Sequence, residues 1–72
     1  MRITYDKTAD AAYVYLISQI APGQVARTET CEIREGVQVN FDFDKQGRLL
    51  GLEILDASKL LTPETLQNGR SQ

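Results

Sequence analysis

From Val37 to Phe43 the chain alternates without a break: Val37, Val39, Phe41 and Phe43 are apolar, and Gln38, Asn40 and Asp42 between them are polar. Successive side chains of a strand point to opposite faces. A period of two sustained over seven residues therefore predicts a strand with one dry side and one wet side. A chain with such a strand must supply a sheet for it to join and a cover for the dry side.

The flanking segments predict the rest of the sheet. Ile3 and Tyr5 alternate with Arg2 and Thr4, a short first strand, and Asp6 to Asp10 carry turn chemistry with two aspartates suited to bonding nearby backbone N–H groups. Ala11 to Ile17 is rich in aromatic and β-branched types and apolar on both faces (Tyr13, Tyr15 and Ile17 against Val14 and Leu16), so it belongs inside the sheet. Pro22-Gly23 marks a turn. Val25 to Ile33 mixes β-formers with Arg27, Glu29 and Glu32, the composition of a strand near an edge, where charges discourage unwanted pairing. Arg34-Glu35-Gly36 is a tight reversal, and Asp44 to Gly47 closes a hairpin whose second strand runs from Arg48 to Leu55.

Two arguments bear on that hairpin's register. Pairing residues whose numbers sum to 91 sets Phe41 opposite Leu50, Val39 opposite Leu52 and Val37 opposite Ile54, with Asn40 opposite Gly51 and Gln38 opposite Glu53 on the wet face. A type I turn with Gly47 as bulge residue favours the other parity. The preferred register is 91.

After Asp56 the period changes. Asp56 is placed to cap a short helical turn, and Ala57, Leu60 and Leu61 share one helical face. Thr62 reads as an N-cap with Pro63 at the first helical position, Leu61 and Leu66 stand at the positions of a hydrophobic staple, and Gly69 is a stop. The predicted fold is α+β: an antiparallel β-meander of about five strands with a short C-terminal helix packed on or beside it. Residues 1–72 form a single domain with its core over about 3–66 and a frayed tail over 67–72.

Seventy-two residues bury only about 60% of the surface the unfolded chain exposes, so the stability margin is thin. Domains of this size commonly rely on disulfides, a structural metal or association. A single cysteine, Cys31, and no histidine exclude an intrachain disulfide and a Cys/His zinc site. A net charge of −2 with no basic run argues against nucleic acid as a partner. No apolar stretch approaches a membrane span, and the N-terminus lacks the apolar core of a secretory signal. A reducing cytoplasm is the expected location.

Catalytic chemistry is sparsely provided for. Without histidine, no Ser-His or Cys-His pair exists. Cys31 reads as a small strand side chain of a type usually buried and inert. Asp42-x-Asp44-x-x-Gly47 has the opening of a calcium loop, with Gln46 and Glu53 at the fifth and twelfth positions, but strands rather than helices flank it. Tyr5, Tyr13 and Tyr15 form an aromatic set suited to a core or an interface. No catalytic residue, cofactor or metal is expected. The candidate ligand or partner face comprises Asn40, Asp42, Asp44, Arg48, Glu53 and Asp56.

Three blocks, Tyr5-Asp6-x-x-Ala9-Asp10-Ala11-x-Tyr13, Asp42-x-Asp44-x-x-Gly47-Arg48 and Gly51-x-Glu53-Ile54-Leu55-Asp56-Ala57-Ser58, together resemble the small prokaryotic family called domain of unknown function 2283, over roughly residues 3 to 61. The resemblance implies a bacterial or archaeal origin and a compact β-rich fold. It brings no catalytic residues, and it hints at toxin-like neighbours and so at an antitoxin-like role. The expected function is a non-catalytic protein-interaction module that binds a second copy of itself or a small partner protein. The alternative is a small-ligand or metal-binding domain using Asp42, Asp44 and Glu53.

Overall fold

The computed structural model describes residues 1–71, with side chains through Gly69. Five antiparallel strands lie in one sheet: β1 (Arg2–Asp6), β2 (Ala11–Tyr15), β3 (Arg27–Arg34), β4 (Val37–Phe43) and β5 (Leu49–Leu55). A 3-10 turn (Ala57–Lys59) and a short helix, α1 (Pro63–Gln67), follow. The alternating stretch from Val37 to Phe43 is β4 from end to end. The chain then returns as β6 (Arg70–Ser71), parallel to β1. The tail beyond Gly69 is thus paired over Arg70 and Ser71 rather than frayed, and Gln72 lies outside the described residues.

The order across the sheet is β3-β4-β5-β2-β1-β6. Chain-neighbouring strands pair everywhere in the set of five except between β2 and β3, where β5 takes the place beside β2. The physical reason is side-chain character. Doubly apolar β2 gains from a central position, whereas charged β3 tolerates the edge. All eight residues of β3 are exposed, Cys31 included, as befits an edge strand with a neighbour on one side only.

The β4–β5 hairpin corrects the preferred register. Val39 faces Ile54, Asn40 faces Glu53, Phe41 faces Leu52 and Asp42 faces Gly51, a sum of 93 rather than 91. At the turn, Gly47 N–H donates to Asp44 O at 3.0 Å with Gly47 at φ 80, and Phe43 faces Leu49. The glycine bulge does set the other parity there, and a second irregularity between Asp42 and Phe43 restores the first. Because 91 and 93 share parity, the two faces keep the predicted residues while every pair shifts.

The dry face is built on Ala12, Val39 and Ile54, capped by Ala57 from the 3-10 turn. Leu60, Leu61 and Leu66 pack onto it from the C-terminal segment. Thr62 Oγ1 accepts from Thr65 N–H at 3.2 Å, and Pro63 starts the helix, as the sequence predicts. Asp56 does not cap the 3-10 turn: it sits left-handed at φ 53 with no side-chain cap bond. The capping carboxylate comes instead from Asp10 in the β1–β2 turn. Its Oδ1 accepts from Ser58 N–H at 3.0 Å and its Oδ2 from Ser58 Oγ at 2.7 Å.

Candidate functional site

Strand register sets the opposite face of the sheet in rows. One row runs Arg2, Tyr15, Gly51, Asp42, Thr28, and the next runs Thr4, Tyr13, Glu53, Asn40, Thr30. Among the described residues, both helical segments pack on the other side, so no helix covers this face.

Two polar chains cross it. In the first, Tyr13 Oη donates to Asp42 Oδ2 at 2.6 Å and Thr28 Oγ1 donates to Asp42 Oδ1 at 2.6 Å. The Tyr13 ring reaches Asp42 by lying over β5 at Gly51, the one residue of that row without a side chain. In the second, Thr30 Oγ1 donates to Asn40 Oδ1 at 2.6 Å, and Asn40 Nδ2 donates to Glu53 Oε1 at 3.1 Å. These bonds tie the otherwise bare β3 to the sheet. Each hydroxyl and amide has a partner, so the arrangement is specific rather than merely wet.

The electrostatics follow from the geometry. Partial burial, helped by the Asp42 carboxylate, holds the Tyr13 phenol well above the ordinary tyrosine range. The Tyr13 and Tyr15 rings lie 4.7 Å apart at 54°, and the Arg2 guanidinium stacks over Tyr15 at 3.8 Å from the ring centre. Between these rings and Asp6 and Glu53 lies a hollow of about 370 Å³ with Ala11 on its lining.

Of the six predicted site residues, the structure brings Asn40, Asp42 and Glu53 together on this face. It does not bring the others there. Asp44 belongs to the hairpin turn: its Oδ1 accepts from Arg48 N–H at 2.8 Å and Gln46 N–H at 2.9 Å, and its Oδ2 meets Arg48 Nε at 3.1 Å. The backbone bond from Arg48, chiefly, holds the Asp44 carboxyl below its usual range. Asp56 turns the chain out of β5. Among the described residues, no three Asp, Glu or Cys side chains are grouped to hold a metal ion.

The sequence reading missed Thr28 and Thr30 as members of the face, and it grouped Tyr5 with Tyr13 and Tyr15. Tyr5 lies on the covered side, where its Oη donates to Asp10 Oδ1 at 2.8 Å. Strand parity carries the signal that separates them, since Tyr5 faces Ala12 while Thr4 faces Tyr13.

A family model described as a protein of unknown function, DUF2283, matches residues 2–58. No curated protein and no solved structure matches the chain. Among the described residues, no helix is long and apolar enough to cross a membrane.

Proposed function

We propose, for a chain that belongs to the DUF2283 family of proteins of unknown function, the role of a small non-catalytic interaction module that associates with itself or with a small partner protein. The observation that carries this reading is the face without a helical layer, where hydrogen-bonded polar side chains and two tyrosines stand. The edge strand adds to it. β3 is eight residues long and exposed throughout, with Ile33 47% accessible and Val25, just before the strand, 37%. Its charges guard it against indiscriminate pairing, and Ile33 and Val25 are apolar surface that a specific partner would cover.

The surface supports the same reading. The chain has 4982 Å² accessible, where a monomer of its mass has about 4500 Å². A small domain with a thin core gains stability when a partner covers such surface. An antitoxin-like role is one form of this function, and a reducing cytoplasm suits an exposed free thiol at Cys31.

Sedimentation velocity on the purified chain and on native lysate tests the proposal. A dimer, or a defined heteromeric species in lysate, is the expected result. A chain that sediments as a monomer in both overturns it.

A further inference from the structure

The interaction reading leaves open what covers the open face, and the charge pattern addresses that. Strand parity sets Asp6, Glu32, Asp42 and Glu53 on this side; among the residues whose side chains are described, Arg2 is the one cation with them. Arg2 is itself engaged, stacked on Tyr15 and donating to the Ser18 carbonyl at 3.0 Å. Basic side chains gather elsewhere: Arg34 donates to the Lys59 carbonyl on the helical side, and Arg27 pairs with Glu29 and lies over Phe43.

Two-fold packing of one copy on another sets the same patch against itself. Here that would place Asp42 and Glu53 against like charges, so a second copy does not suit this face, and self-association is left to the exposed β3 edge. Nucleic acid is excluded by the same sign of charge. A cationic surface suits it on two counts. Carboxylates beside aromatic rings favour guanidinium and ammonium groups by ion pairing and by attraction to the ring face. The molecule already shows this preference in Arg2 over Tyr15.

The extent of the face distinguishes a polypeptide from a single small cation. Its rows cross five strands, about 19 Å at the usual strand spacing, so several cations in one segment engage it together.

Resting on the interaction reading, we infer that the open face is the docking surface for a basic segment of a partner polypeptide. The hollow between Asp6, Tyr13, Tyr15 and Glu53 takes an arginine or lysine side chain of that segment.

The test is amide chemical-shift titration of the ¹⁵N-labelled full chain with an oligo-arginine peptide, an oligo-glutamate peptide and spermine. Oligo-arginine is expected to shift residues around Tyr13, Tyr15, Asn40 and Glu53. The expected weakening is about tenfold in Glu53→Gln and again in Asp6→Asn, with both variants retaining the native spectrum because each amide keeps an accepting oxygen. Binding centred on Glu29, Glu35 or Glu64, no loss in either variant, or spermine binding as tightly as the peptide each overturns the inference. If sedimentation finds an oligomer or a heteromeric complex while oligo-arginine leaves this face unshifted, the inference fails and the interaction reading stands.

Discussion

Tyr13 occupies the space that a side chain at Gly51 would fill. A Cβ at position 51 would stand 2.6 Å from Tyr13 Cε1, 2.8 Å from its hydroxyl and 2.7 Å from the Val14 carbonyl oxygen. The glycine sits in a central strand, where its lack of a side chain would ordinarily weaken the sheet. Here it lets an aromatic ring cross β5 and reach Asp42 on β4, so the ring covers backbone that would otherwise be bare.

Gly51→Ala therefore destabilises rather than stabilises. The ring can move, but the Val14 carbonyl is backbone, so the expected loss is about 1–3 kcal/mol by urea denaturation. A gain of the kind a compatible Gly→Ala exchange gives, below about 1 kcal/mol, would show that Tyr13 does not lie there.

Tyr13→Phe removes the donor to Asp42 and costs about 1–2 kcal/mol. The variant also alters the alkaline limb. The Tyr13 phenol is raised in the folded chain, so its contribution is fully present below the unfolded tyrosine value of 10.0 and is lost as pH rises beyond it. Melting temperature followed upward from pH 8 should fall more steeply for the parent than for Tyr13→Phe.

The acid limb belongs to Asp10 and Asp44. Bonds from Ser58 and from the Tyr5 hydroxyl hold the Asp10 carboxyl below its ordinary value, and the Arg48 backbone does the same for Asp44. A depressed carboxyl contributes stability above its unfolded value of 3.8, and that contribution is lost as pH falls through the folded value. Asp10→Asn should lower stability at pH 7 by about 1 kcal/mol, because the bonds from Ser58 and Tyr5 are worth more to a charged oxygen than to an amide. It should also flatten the decline below pH 4, while keeping a residue that tolerates the left-handed φ of 52.

Two isoleucines separate the covered core from the bare edge. Ile54→Ala, in the core cluster, should cost about 2–5 kcal/mol, enough to unfold a marginal domain. Ile33→Ala, on exposed β3, should stay within about 0.5 kcal/mol of the parent. Equal costs would mean that β3 is buried in the isolated chain.

The fold was legible where periodicity and burial act together. Val37 to Phe43 had to be a strand, and the doubly apolar β2 had to be central. Register was harder, because Leu49, Leu50, Leu52, Ile54 and Leu55 supply an apolar residue for either choice, and two irregularities acting in sequence displaced the pairing by two. The site was half legible for a related reason. Asn40, Asp42 and Glu53 share strand parity, which sequence shows. Asp44 and Asp56 carry the same chemistry but are consumed by backbone geometry at a turn and a corner. Thr28 and Thr30 joined the site only through the placement of β3 beside β4, and the capping of the 3-10 turn by Asp10 spans 48 residues.

The central claim is that the open face of the sheet, and not its helical side, meets a partner. A photo-cross-linking amino acid placed at Thr30 and, separately, at Glu64 tests it in the native host. A discrete adduct from position 30, absent from position 64 and lost when Glu53 is replaced by lysine, is the predicted result. An adduct from position 64 alone, or no adduct from either, would contradict it.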